Sequence, residues 1–223
     1  MVRRFEFAVD RGHAKAVNET IADVRRLRMA AIVLAVVLGA ATAVLISLDH
    51  PWSYILSVVF AIGAATSLWV AIWAPRRVGS IEKLYAEGPL VAAVVSEARS
   101  DGLTLLALVD VGLPDAAGAR YAFVTRSVRS LPGHNATPGE RVPSVSVLAD
   151  RTVLPTGDTW QQVRPMPIAW GTRDGEVIAR AIAAIDDAEW QLLADNLSVS
   201  EKVRRAENNH LLVNPKDLPP ELR

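Results

Sequence analysis

Two uncharged apolar runs, residues 29–48 and 52–74, are separated only by Asp49, His50 and Pro51. This pair constrains the fold more than any other feature of the chain. At 1.5 Å per residue each run reaches roughly 30 Å or slightly more, the thickness of a hydrocarbon core. Two such runs with aromatic residues at their ends read as a transmembrane hairpin rather than as buried helices of a soluble protein. A cleaved signal peptide does not fit, because the charged leader is 28 residues long and a second span follows at once. Arg3, Arg4, Arg11, Lys15, Arg25, Arg26 and Arg28 precede the first span, and Arg76, Arg77 and Lys83 follow the second. The connecting turn carries no Lys or Arg, so both termini are expected in the cytoplasm. Trp52 and Tyr54 then lie near the outer interface, and Trp69 and Trp73 near the inner one. Pro75 is expected to end the second helix before Arg76.

Outside the hairpin, residues 1–28 and 75–223 are expected on the cytoplasmic side. Residues 5–10 alternate as a short strand that could pair with a sheet from the C-terminal half. Val17, Ile21, Val24 and Leu27 recur at helical spacing over residues 14–28. That helix can lie on the membrane or a partner, or pack on the chain's own cytoplasmic part. Residues 80–172 read as short strands (LVAAVVSEA, GLTLLALVDV, ARYAFVTRSV, PSVSVLAD, DTWQQVRP, IAWGT), separated by turn signals that include residues 113–118 and 155–158. This spacing predicts a small barrel or sandwich, with Pro143 starting an edge strand or a bulge. From Asp174 the period becomes helical, Asp186 and Glu189 form a capping-box pair, and residues 198–209 read as a further short helix. The proline-containing tail is expected to be extended. The fold class is therefore a membrane α+β chain: a helical hairpin, a cytoplasmic β-rich domain and C-terminal helices.

The totals and motifs narrow the chemistry. Lys+Arg and Asp+Glu both number 24, which argues against a nucleic-acid binder, and the absence of cysteine removes thiol and zinc-thiolate chemistry. His13, His50, His134 and His210 show no metal-ligand spacing. Neither a P-loop, a G-x-S-x-G elbow nor a G-x-G-x-x-G turn is present. The consecutive Asp186 and Asp187 are accounted for as a helix start, and Asn135-Ala136-Thr137 as a turn. With no charge inside the spans, a proton or ion path through this subunit alone is not expected. No catalytic residue, cofactor or metal follows from the sequence. An enzyme acting at the inner leaflet keeps only the size of the cytoplasmic part in its favour.

The spans do carry a pattern of small residues. Ala31, Ala35, Gly39, Ala43 and Ser47 recur at every fourth position, as do Ser53, Ser57, Ala61 and Ala65, while Gly63 and Ser67 form another such pair. Stripes of this kind let helices approach closely. They can be an accident of alanine-rich composition, the packing seam of the hairpin, or a docking face for another membrane protein, with Trp69 and Trp73 as bulky anchors. The interface set is thus Ala35, Gly39, Ala43, Ser57, Ala61, Gly63, Ala65, Trp69 and Trp73.

The leader FEFAVDRGHAKAVNETIADVRRLR, the tight hairpin, the entry IEKLYAEGPLVAAVV and the tail NPKDLPPELR together resemble the lipid-uptake coordinator (LucA-like) accessory membrane proteins of mycobacterial Mce importers. Alanine, arginine and valine usage is similar to that of high-GC actinobacteria. The resemblance implies a non-catalytic subunit that binds the permease of an ABC-type importer of fatty acids or sterols. A hairpin before a small barrel containing PGERVPSVSV also resembles the NfeD family, whose membrane-anchored OB- or SH3-like domains imply a scaffold or quality-control role.

Overall fold

The computed structural model describes residues 3–78, 80–113, 118–149 and 158–222. The chain forms two compact units: residues 18–80, and residues 1–17 together with 81–223. The leader therefore divides at Asn18 instead of forming one helix from residue 14. Helix α1 spans Arg11–Val17, and Asn18 then caps α2, Glu19–Ser47, by accepting from Thr20 N–H at 3.0 Å. An extended Asn whose side-chain oxygen accepts from the first turn starts a helix well, and here it interrupts the expected continuous one.

Helix α3 spans Pro51–Val78. Both α2 and α3 contain a stretch long and apolar enough to cross a membrane. Contrary to expectation, α3 continues through Pro75. A proline removes one N–H from the helical ladder, and the turns on either side retain theirs. The reversal is compact. Asp49 adopts a left-handed φ of 46°, and its carboxylate accepts from the Tyr54 hydroxyl at 2.6 Å. Ser53 Oγ accepts from His50 N–H and donates to His50 C=O, so the start of α3 caps itself.

The second unit contains two sheets. Strands β1 (Leu90–Val91), β5 (Ser144–Ala149) and β6 (Gln162–Pro167) form one, in the order β1-β5-β6. Strands β2 (Ala93–Arg99), β3 (Gly102–Asp110), β4 (Tyr121–Val128) and β7 (His210–Leu212) form the other, in the order β2-β3-β4-β7. The expected single strand from residue 90 thus breaks at Ala92 and serves both sheets. Gly102 closes the β2–β3 turn at a φ of 150°, where an added Cβ would lie 2.3 Å from Val128 C=O. Residues 103–109 of β3 are all buried, because one sheet face meets the helices and the other meets Val91 and Val163 of the smaller sheet. This explains a nearly continuous apolar run where alternation would mark a half-exposed strand.

Three further expectations change. Strand β5 lies in the middle of its sheet, and Pro143 precedes it, so the missing proline N–H removes no ladder bond. The prolines that do enter a strand, Pro165 and Pro167, are in β6 at a sheet edge. The segment IAWGT forms a 3-10 turn, Ile168–Trp170, rather than a strand. The tail contributes β7 before short 3-10 turns at Pro215–Asp217 and Pro220–Leu222. The turn signals at 114–117 and 155–157 lie outside the described residues.

Helices α4 (Ile81–Glu87), α5 (Gly175–Ala183), α6 (Asp187–Asp195) and α7 (Ser200–Arg205) complete this unit. Asp174 and Asp186 cap α5 and α6 as expected. Residues 3–10 do not form a strand. Phe5, Phe7 and Val9 turn toward the core in alternation, but the segment is a strap bonded at its ends, Arg3 C=O to Leu90 N–H and Asp10 N–H to Gly171 C=O.

Candidate functional site

The hairpin and the strap carry the organised side chains. A seam of residues less exposed than their neighbours runs along α2 through Ala31, Ala35, Leu38, Thr42 and Leu45 and along α3 through Ser53, Ser57, Phe60, Ala64, Ser67 and Ala71, with Ile32, Ala41, Gly63 and Val70 beside it also partly covered. Spacings of four and three alternate in both sets, as in the seam of a left-handed helix pair. Ser57 and Ala71 are 5% and 3% exposed, and an added Cβ on Gly63 would lie 3.0 Å from Leu38 Cδ1. The seam hydroxyls bond within their own helices: Thr42 to Leu38 C=O, Ser57 to Tyr54 C=O and Ser67 to Gly63 C=O, each at 2.8 Å. They bring no unsatisfied donor to the interface, so the helices are held by close packing.

This seam divides the interface residues. Ala35, Ser57 and Gly63 lie on or beside it, whereas Gly39, Ala43, Ala61, Ala65, Trp69 and Trp73 are exposed. The reason is geometric. A step of four residues overshoots a helical turn by about 40°, so Gly39, Ala43 and Ser47 drift roughly 80°, 120° and 160° from Ala31. Leu38, Thr42, Leu45, Phe60, Ala64 and Ala71 were not legible as a stripe of small residues, because the seam mixes sizes. The three-four alternation was the signal available.

The outward positions are ordered too. In an antiparallel pair, residues displaced in the same sense from each seam fall on the same flank. Gly39 and Ala43 therefore share a flank with Ala61 and Ala65, while Val37, Val44, Leu56 and Val59 occupy the opposite one. At mid-span the first flank carries these four small side chains together with Val36 and Val58, while Ala41 and Gly63 lie toward the other.

In the sheet-rich unit, polar clusters fasten the strap and a loop. Arg3 pairs with Glu189, which is 3% exposed, and donates to Ala184 C=O at 3.2 Å. The second member of the sequence-read capping box thus turns to the strap. Burial pushes the Glu189 pKa up, and Arg3 offsets this only in part. A recess of about 470 Å³ at this point is lined by Arg3, Tyr121, Asp186 and Glu189. At the other end, buried His13 contacts Ala169 C=O through Nε2 at 2.9 Å and accepts from Arg173 Nε at Nδ1, also at 2.9 Å. With Arg173 donating to Nδ1, it is Nε2–H that donates to Ala169 C=O. Arg11 pairs with Glu82, tying α1 to α4.

The third cluster fixes the loop before β5. Glu140 accepts from His134 Nδ1 and the N–H groups of Asn135 and Thr137. Burial raises its pKa, but the two backbone donors and His134 outweigh that and hold it low. Among the described residues, no three His, Cys, Asp or Glu side chains assemble a metal site. His50 belongs to the hairpin turn, and His210 to β7 beside a recess at Trp160 and Asn208.

A family described as a protein of unknown function (DUF3239) matches residues 76–201, more than half of the chain. The chain belongs to the DUF3239 family. A crystal structure from the actinobacterium Corynebacterium diphtheriae, described as a candidate membrane protein, is 34% identical and superposes with a TM-score of 0.51. That match covers 56% of this chain and 99% of the other. No curated protein matches the chain. The neighbour and the two apolar helices together point to a membrane location.

Proposed function

We propose that this chain is a non-catalytic accessory or regulatory subunit that docks through its hairpin on a larger complex of the cytoplasmic membrane. Both termini lie in the cytoplasm, on the side marked by the flanking arginines. The two sheets, joined at Ala92, act as a small sandwich-like domain carried by the hairpin. The partner class to which the sequence resemblance points is an Mce-type ABC importer of fatty acids or sterols.

The observation that carries this reading is the flank formed by Gly39, Ala43, Ala61 and Ala65. These residues are not used by the hairpin's own seam. Small side chains at mid-span let a further helix approach closely, and in lipid such packing supplies the association energy that apolar burial supplies in water. The spans contain no Asp, Glu, Lys or Arg, so the chain's contribution fits binding rather than conduction.

Photo-crosslinkers placed singly at Ala43 and Ala61 in living cells test the assignment. Adducts to one other integral membrane protein are expected from both positions, with severalfold lower yield from Val37 and Val44. Equal yields from the two flanks would remove the basis for the docking face. Adducts to a second copy alone would favour the scaffold role implied by the NfeD resemblance, with the chain assembling on itself.

A further inference from the structure

The open flank of the hairpin ends in positive charge. Counted from the Leu38–Gly63 contact, Arg25 and Arg76 each lie thirteen residues away toward the same end of the hairpin, so the two share a level. Arg28 and Trp73 each lie ten residues away and share the next level in. At about 100° per residue, Arg25, Arg28 and Arg76 all project on the flank that carries Gly39 and Ala61. All three are exposed, and among the described residues none is paired with a carboxylate. The acids nearest Arg25 and Arg28 in sequence, Glu19 and Asp23, fall on the other flank, where Asp23 pairs with Arg26 at 3.8 Å. Trp73, 45% exposed, sits where an indole ring settles among headgroups.

We infer that Arg25, Arg28 and Arg76 form a binding site for the headgroup of an anionic phospholipid at the basic end of the hairpin. Guanidinium groups recognise phosphate through paired N–H donors, and three of them on one flank present more donors than a neutral headgroup needs. The same charges could serve only to orient the hairpin during insertion. In that case they would show no preference among lipids afterwards. The inference rests on the hairpin lying in a bilayer and not on the partner proposed above.

The test is native mass spectrometry of the purified full-length protein in detergent, titrated with phosphatidylglycerol or phosphatidylcholine. Phosphatidylglycerol is expected to bind roughly a hundredfold more tightly, each arginine near the anionic headgroup contributing about fivefold. The triple variant R25Q/R28Q/R76Q should lose roughly a hundredfold in phosphatidylglycerol affinity and leave phosphatidylcholine unchanged. The corresponding triple lysine variant should keep most of it. If the glutamine variant fails to insert, wild-type affinity must still fall as salt is raised. Equal affinity for both lipids, indifference to the glutamine substitutions, or salt-independent binding would overturn the site. Displacement of the lipid by inorganic phosphate would assign the arginines to a soluble anion instead. Because no partner is present, failure here leaves the docking proposal to its own experiment.

Discussion

Trp170→Ala is expected to lower the stability of the sheet-rich unit by about 4 kcal/mol, within the range for removing a large buried aromatic. Trp170 is fully buried, its Nε1–H donates to Ser130 C=O at 3.1 Å, and Arg126 lies over its ring at 4.7 Å. Truncation would leave a cavity, a carbonyl without its donor and a guanidinium without its aromatic surface. Arg126 would retain its bond to Pro165 C=O, which limits the loss on that side. Trp170→Phe keeps much of the packing and should cost about half as much. Urea denaturation of the full-length protein in detergent measures both. A midpoint for the alanine variant indistinguishable from wild type would contradict the packing account.

Arg3→Ala is the second large effect, about 2–3 kcal/mol at neutral pH. Breaking a buried pair strands the charge that remains, and Glu189 is 3% exposed; the figure is set below the full range because the Arg3 side chain is 35% open to water. The effect should depend on pH with a definite sign. Burial raises the pKa of Glu189 in the folded state above its unfolded value, so its share of stability is full in acid and is lost as pH rises through the folded pKa. Without Arg3 that pKa rises further, and the loss continues to higher pH. The penalty of Arg3→Ala should therefore shrink below the ordinary glutamate range, where the carboxyl is protonated in both states. Adding Glu189→Gln should rescue most of the neutral-pH loss. Pulse proteolysis across pH reads this, and a pH-independent penalty would mean that the strap is held by Phe5 and Phe7 rather than by the ion pair.

The hairpin was legible in sequence because length and the absence of charge depend on no partner, and 29–48 and 52–74 needed nothing else. The helix caps at Asp174 and Asp186 were equally local. Properties set by tertiary context were not. The alternation of Phe5, Phe7 and Val9 was correct as a burial pattern but came from a strap crossing the core, not from a sheet. IAWGT has strand composition, yet it turns so that Gly171 can sit under Phe7 and Tyr85, where an added Cβ would lie 2.9 and 2.8 Å from their rings. Glu189 had the spacing of a capping residue but faces a cation 186 residues away in sequence. For the hairpin interface, composition identified the small residues but not their roles. A period of four aligns with a 3.6-residue helix for only two or three steps. Ala35, Ser57 and Gly63 fell at the seam, and Gly39, Ala43, Ala61 and Ala65 fell on the open flank that the docking proposal uses.

The hairpin is proposed to hold this chain against another membrane protein. Affinity purification of the chain, tagged and expressed at its native level, from membranes in mild detergent, followed by mass measurement of the intact complex, tests this directly. A stoichiometric complex with at least one other integral membrane subunit is expected, and with a permease and its ATPase if the partner is an importer. Recovery of the chain alone, as a monomer or as copies of itself, would contradict it.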